Sequence, residues 1–575
     1  MAAQDADELA DLAGASESGY QELGKLVGQY RTLGAKSPPH GPTAPWQGGG
    51  NFRIDPLPAI AILLALVTSR RTAAALLITR GEGSDRAVFL VERSPELRFF
   101  GGYWALPGGT VGDEDQPGLG LDHALQSCAH RELFEETGLL RHRLPPNRTG
   151  GEALVGAREQ LLASASPGKD GGAPPPSPWP SLCAGTVPPV PLRELCRIET
   201  PPFAPVRYDT AFFHVPLEHC VAGTDGARPD VWRGELVQGR WWLPQQALAS
   251  WRNGDLLLVP PVVILLQHLA RTADFEHFAA EIASTTNGYR EGRLHQVRFS
   301  PGIVLAPLRT PTLPPATTTN CYIVGTDKLW IVDPGSPHPD EQARLLALLD
   351  ELVADGASLA GILVTHHHRD HVGGVNALSR ARDLPVRGHP LTLTRLEPGY
   401  RAGAALDDGM RVPLGRSPDG NNGWELLAVH TPGHDRGHLC FRESRYGTML
   451  VGDMLSTVST IIVDPPEGHL ATYLRSLERL ATEPLTTLYP AHGPALRDGQ
   501  RLVKQYLCHR RQRETKLVEV LQQSPGTLDE LLPKVYWDAD PKLFGFAARS
   551  LLAGLQKLQE EGRATESNGR WQTVG

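Results

Sequence analysis

The chain has 575 residues, with 56 basic and 64 acidic side chains and a formal net charge of −8. Hydrophobic residues make up 41% and charged residues 21%, the proportions of a globular protein of several domains rather than of a disordered or fibrous chain. The acidic balance excludes a general nucleic-acid coat and leaves open only a local basic patch. Seven cysteines, an odd number with no C-x-x-C pair, fit unpaired thiols in a reducing compartment better than a disulfide framework. The N-terminal stretch MAAQDADELADLAG is acidic and lacks the basic region and apolar core of a signal peptide. The apolar run LPAIAILLALV (57–67) is too short to cross a bilayer, so a cytoplasmic location with no membrane partner is expected.

Residues 5–34 carry a pattern compatible with an amphipathic helix, and SPPHGPTAPWQGGG (37–50) reads as a Pro/Gly linker, so 1–51 is taken as an extension. TAAALLIT (72–79) and AVFLVER (87–93) are short apolar runs suited to strands. A helical stretch follows at about 122–137. The region 141–190 reads mostly as loop, because GGAPPPSPWP (171–180) resists regular structure. Strand-like DTAFFHVPL (209–217) and GRWWLP (239–244) come next, and a helix around 261–285 closes a first domain at 52–288. From about 295 the runs NCYIVG, KLWIVD, the helical DEQARLLALLDELVADG and AGILVT alternate, which predicts an α/β layered domain over 289–500. The tail, 501–575, predicts helices joined by short turns and then a strand-like WQTV, an order that resembles a winged helix-turn-helix.

THHHRDH (365–371) follows the apolar GILV and precedes VGG. A histidine run on a surface loop is often only solvated. Here His366 and His368 stand two apart at a strand end, so their rings project the same way. Asp370 and His371 follow in the turn, and the glycines permit a tight entry into a helix. One loop thus offers three imidazoles and a carboxylate, whereas one Zn²⁺ takes about four ligands. Later strand-like runs end at His434 (HTPGHDRGH), Asp453 (TMLVGDM) and His492 (TLYPAHGP), giving a set of seven nitrogen and oxygen donors. With its H-x-H-x-D-H motif and the downstream His, Asp and His in order, the stretch from about 295 to 500 resembles the metallo-β-lactamase fold. The resemblance assigns His366, His368 and His434 to one metal and Asp370, His371 and His492 to a second, with Asp453 bridging. It implies two Zn²⁺ (or Mn or Fe) that acidify a water and polarise the bond attacked, and Asp370 as a catalytic group. Asp333 in IVDPG and His438 are taken as supporting or structural residues.

In LPGGTVGDEDQPGLGLDHALQSCAHRELFEETGLL (106–140), Glu132, Glu135 and Glu136 fall at i, i+3 and i+4, on one helix face. Such crowding is either a solvated acidic face or a site for Mg²⁺ bridging to phosphates. The segment resembles the Nudix box, G-x5-E-x7-R-E-U-x-E-E-x-G-U, through Gly109, Arg131, Glu132, Glu135, Glu136 and Gly138. Two departures stand out: Asp115 replaces the first Glu, and 15 residues rather than 7 separate it from Arg131. The resemblance implies Mg²⁺ or Mn²⁺ held by Glu132, Glu135 and Glu136, with Glu135 and Glu136 also catalytic. RSPELRFFGGYWALPGG (93–109) is similar to the signature of the Nudix branch that cuts coenzyme A at its diphosphate, with Leu106 in place of Phe. This makes Arg93, Arg98, Gly108 and Gly109 candidates for substrate binding, while Asp115 and Glu235 are further candidates for metal or base.

The expected architecture is therefore multidomain, α/β and α+β: a Nudix α/β/α sandwich, a metallo-β-lactamase αββα sandwich and a C-terminal winged helix. From about 300 onward the chain is similar to the β-lactamase-like protein 2 group, which includes RNA endonucleases and thioester-cleaving relatives. The expected activity is cleavage of an ester or thioester at one site and of a diphosphate linkage, as in coenzyme A or an acyl-CoA, at the other. RNA is the alternative substrate of the first site, and nucleotide sensing without turnover is the alternative for the second. The tail carries 12 Lys/Arg against 9 Asp/Glu, a weak balance for tracking phosphates.

Overall fold

Strand Arg70–Arg80 is the spine of the first domain. It runs parallel to Arg207–Pro216 and antiparallel to Ala87–Arg93 and Gly108–Thr110, within a sheet of seven strands among the described residues. In this computed structural model those residues are 70–97, 100–141, 151–165, 176–183, 191–220, 228–232 and 234–574. The expected helix at 5–34, the linker, the run at 57–67 and Arg98 lie outside them. The strand reads as a continuous apolar run because both faces of the sheet are covered. Helix Leu121–Thr137 packs Leu125, Cys128, Ala129 and Leu133 on one face, against Ile78 and Phe213. Helices Pro244–Asn253, Pro260–Leu269 and Phe275–Arg290 cover the other.

Two expectations are corrected here. The helix read around 261–285 is two helices, and the second starts where the Asp274 side chain accepts the Glu276 amide as an N-cap. The region 141–190 contains helices Gly151–Ala165 and Trp179–Cys183. Leu154, Ala157 and Leu161, spaced i, i+3 and i+7, bury a stripe against Phe134, Leu140 and Trp179. The prolines around 171–180 obscured that stripe.

The next layers are two six-stranded sheets among the described residues. One is ordered Arg401–Ala402, Pro385–Arg387, Ser358–Leu363, Lys328–Val332, Thr318–Val324 and Ile303–Arg309. The other is ordered Arg411–Arg416, Asn422–His430, Leu439–Glu443, Thr448–Gly452, Thr487–Pro490 and Leu496–Arg497. Leu305, Tyr322, Val332 and Leu363 meet Leu426, Phe441, Leu450 and Tyr489 in the core between them. Helix Pro339–Ala354 covers the first sheet, and helices Leu470–Leu480 and Gly499–Gln523 cover the second. The strands ending at Val332, Leu363, His430, Gly452 and Pro490 release their following loops at one edge of the sandwich, where the site forms.

Helix Gly499–Gln523 runs unbroken into the tail, so the expected boundary at 500 falls inside one helix. Leu528–Val535, Phe544–Glu560 and the hairpin Ala564–Ser567/Arg570–Thr573 complete a winged helix. Asn568 and Gly569 turn that hairpin with positive φ, as an Asn-Gly turn requires.

Candidate active sites

Strand Ser358–Leu363 delivers Thr365–His371 onto the loop Asp333–Pro337, and glycines set how closely the two approach. A Cβ at Gly335 would stand 1.8 Å from the Asp370 carbonyl oxygen, and one at Gly374 2.4 Å from that of Pro334. Gly373 and Gly374 have negative φ, so VGG serves close backbone contact rather than an unusual turn.

Within this edge the seven expected donors meet in two groups. His366, His368, His434 and Asp453 form one, and Asp370, His371 and His492 the other, with ligand atoms in each within 4.8 Å of one another. His368 Nδ1 lies 3.0 Å from His366 Nε2 and 3.0 Å from His434 Nε2. Asp453 Oδ2 is 3.5 Å from His434 Nε2, while its Oδ1 is 3.5 Å from His371 Nε2 and 3.3 Å from His492 Nε2. Asp370 Oδ2 is 3.5 Å from His492 Nε2. Four ligands at about 2.0 Å around a tetrahedral ion stand about 3.3 Å apart, so these separations suit divalent cations. His371 Nε2 and Asp453 Oδ1 are buried with no hydrogen-bond partner, and both point between the groups. The donor set therefore fits two ions with Asp453 between them.

A surrounding layer fixes the ring faces. His371 Nδ1 donates to Asp333 (2.9 Å), His434 Nδ1 to the Ile462 carbonyl (2.8 Å) and His492 Nδ1 to that of Thr318 (3.2 Å). Each contact turns Nε2 toward the centre. His438 Nε2 accepts the Asp453 amide at 3.1 Å and thereby anchors the shared carboxylate's backbone. Burial, then the neighbouring imidazoles, holds His366 well below the usual histidine range, and burial with His434 takes His368 to about 4, so both imidazoles are neutral. Burial opposes the charge of Asp453, but His492 and His371 outweigh it and keep that carboxylate ionised.

One contact had only a faint signal in the sequence. His367, the middle histidine of the run, has its Nδ1 2.5 Å from Asp435 Oδ2, and Asp435 also accepts the Gly437 amide. His367, His368 and Asp435 make a third convergent group beside the first. The DRG after His434 was the available hint.

In the first domain, Arg131 organises the carboxylates. Its Nε and Nη2 grip both oxygens of Asp115 at 3.0 and 2.8 Å, and Nη1 reaches Glu132 (2.8 Å) and Glu135 (3.0 Å). Turns Asp113–Asp115 and Pro117–Leu119 absorb the long spacing, so Asp115, wholly buried, reaches Arg131 despite it. Glu136 accepts the Gly108 amide at 2.8 Å, and Glu132 crowds Gly109, where a Cβ would lie 2.2 Å from its Oε1. Burial raises all three helix glutamates, and repulsion from Glu132 adds to it at Glu135, taken to about 8, and at Glu136, while Arg131 opposes it at Glu132. Arg93 exerts an opposing pull on Glu136, and its buried Nε has no partner. Glu235 is exposed, without a hydrogen bond or ion pair of its side chain among the described residues, and joins no convergent donor group there. Among the described residues no convergent three-donor group forms here, because Arg131 occupies oxygens of Glu132 and Glu135.

Comparison with known proteins agrees with this arrangement. Residues 314–492 match the model of the metallo-β-lactamase superfamily, 68–153 that of the NUDIX domain, and 527–571 that of the β-lactamase-associated winged helix domain. The lactamase-like protein adaB of Aspergillus niger is 28% identical over 277 residues, covering 45% of this chain and 81% of that protein. A β-lactamase-like protein 2 homolog of Drosophila melanogaster is 26% identical, covering 43% and 83%. The atrochrysone carboxyl ACP thioesterase nsrC of Aspergillus novofumigatus is 31% identical, covering 38% and 66%. No helix of the described residues is long and apolar enough to cross a membrane. The chain thus carries a metallo-β-lactamase superfamily hydrolase domain with its associated winged helix, joined to a Nudix hydrolase domain.

Proposed function

We propose that the site at 366–371, 434, 453 and 492 cleaves an ester or thioester, and that the Nudix domain acts on a nucleoside-diphosphate-linked compound such as coenzyme A or an acyl-CoA. The observation that carries the first part is the sharing of Asp453 between two convergent groups of His and Asp donors, with His371 Nε2 and Asp453 Oδ1 unsatisfied between them. Two divalent cations bound there would supply positive charge that acidifies a water and polarises an acyl carbonyl. Asp370 accepts a hydrogen bond from the Thr319 hydroxyl at 3.4 Å, and Thr319 is held in turn by Thr310 at 2.7 Å. That leaves its partly exposed carboxylate at the lip of the centre, placed to take the proton of an attacking water. His371 and His492, backed by Asp333 and the Thr318 carbonyl, hold the donor array in register while the acyl group is attacked.

A thioester is favoured over RNA on two grounds. Relatives named as acyl-carrier thioesterases share 29–31% identity with this chain. The winged helix turns one flank inward, through His469–Glu560 (2.8 Å) and Arg549–Asp464 (3.3 Å), and so walls the loop beyond Asp453. Incubation with acyl-CoA should release free acid, lost in Asp370→Ala alone, and 3′,5′-ADP, lost in Glu135→Gln alone. Absence of both products from the wild-type protein removes the reading, and metal-dependent cutting of single-stranded RNA lost in Asp370→Ala replaces it.

A second reading of the Nudix half rests on Arg131. With two glutamates and Asp115 held by one guanidinium, the pocket can bind a nucleotide without turning it over. Nucleotide binding without product, unchanged in Glu135→Gln, selects this reading.

A further inference from the structure

We propose that the cavity between the Nudix and metallo-β-lactamase domains is a binding site for a phosphate ester of nucleotide size, distinct from both candidate active sites. The cavity has a volume of about 700 Å³, within the range of small-molecule sites. Tyr103 and Trp251 of the first domain form one wall. The opposite wall presents four arginines, Arg411, Arg442, Arg445 and Arg497, and two glutamates, Glu425 and Glu443.

One guanidinium is left without a carboxylate partner. Glu443 is buried and accepts four N–H groups: Trp424 Nε1 (2.9 Å) and the amides of Arg445 (2.7 Å), Tyr446 (2.6 Å) and Thr448 (3.0 Å). Its charge is therefore satisfied by fixed dipoles rather than by the guanidinium groups. Arg411 pairs with Glu425, Arg442 with Glu483 and Arg445 with Asp419. The Arg497 side chain has neither a hydrogen bond nor an ion pair among the described residues, and its charge acts on the Tyr103 phenol. An unpaired guanidinium beside three paired ones, in a cleft that also holds aromatic rings, matches an anion with a planar ring attached. A phosphate takes the forked donors of several arginines at once, as a single ammonium or hydroxyl would not.

The place in the fold separates this cavity from the metal centre. Gly447 and Thr487 line it, and the strands that follow carry Asp453 and His492 at their other ends. Six residues from Gly447 to Asp453 span about 20 Å at strand rise. On the Nudix side, the Tyr103 carbonyl accepts the Arg93 amide at 2.9 Å, so the same segment leads from the cavity to the glutamates.

The test is calorimetric titration of the full chain with ADP, with inorganic phosphate and adenosine as separate arms. The expected result is saturable binding of ADP, weaker binding of phosphate and none of adenosine. Arg497→Ala should weaken ADP at least tenfold and Arg497→Lys less. Arg497 is exposed and unpartnered, so its substitution leaves the fold intact, which a thermal melt checks. No ADP binding by the wild-type protein, or an affinity within twofold of wild type in Arg497→Ala, would each overturn the proposal.

Discussion

Asp333→Asn should weaken one of two metal ions and spare the other. Asp333 has a φ of +52°, a conformation that Asn tolerates, so the substitution adds no backbone strain. Its carboxylate accepts three hydrogen bonds: the Thr365 amide at 2.8 Å, the Thr365 hydroxyl at 2.7 Å and His371 Nδ1 at 2.9 Å. An Asn side chain keeps one acceptor, for the Thr365 amide, and turns a donor toward the imidazole. His371 must then accept at Nδ1 and carry its proton on Nε2, the atom that faces Asp453. Loss of such a support costs about 10- to 100-fold in metal affinity, or roughly 1.4–2.7 kcal/mol. The group formed by His366, His368 and His434 touches Asp333 only through Thr365, so it should change less. Competition of Zn²⁺ against a chelating dye resolves the two binding steps, and one of them should shift by that factor. Two steps with wild-type affinities would show that Asp333 does not set the His371 tautomer.

The remaining predictions concern stability and loading. Arg131→Ala leaves Asp115 buried and unpaired, which should cost about 3–5 kcal/mol and raise hydrogen exchange across Leu121–Thr137; unchanged protection would contradict the pairing. Burial first, then nearby arginines, lowers His214 from 6.5 to about 4, so the unfolded chain takes up the proton first. The stabilisation is complete above pH 6.5 and falls by roughly 3 kcal/mol as pH drops toward 4; in His214→Phe this part of the acid sensitivity should vanish from urea titrations. Gly335→Ala drives a methyl into the Asp370 carbonyl and should lower the melting temperature and abolish binding of the second ion, as read by metal analysis. Chelator treatment should lower the melting temperature of the metallo-β-lactamase domain, and Zn²⁺ at 100 times its Kd should restore about 2.7 kcal/mol; a melt indifferent to both would argue against resident metal.

The clustered His and Asp residues were legible because each lies just past a strand end, where an apolar run gives way to His or Asp. Their grouping depends on which strand ends share an edge, and that follows from pairings such as Thr448–Gly452 with Thr487–Pro490, which no local pattern states. The long interval between Asp115 and Arg131 looked like a defect of the box, yet two short turns return Asp115 to the guanidinium. Glu235 had only its place before RWW to recommend it, and the strand Leu236–Trp242 leaves it exposed. The helix Gly151–Ala165 was hidden by neighbouring prolines, although its Leu154–Ala157–Leu161 stripe was readable.

The helix Gly499–Gln523 has 25 residues, about 37 Å of unbroken rod. On it, the Tyr506 hydroxyl accepts the Ser456 amide at 2.9 Å and lies 2.8 and 2.7 Å from the carbonyls of Ser456 and Ser459. Those serines begin three residues after Asp453. Deleting the tail would therefore unmoor the segment that follows the shared carboxylate, and grafting it onto another protein would strip it of half its seat. The tail and the loop after Asp453 hold each other in place as one unit.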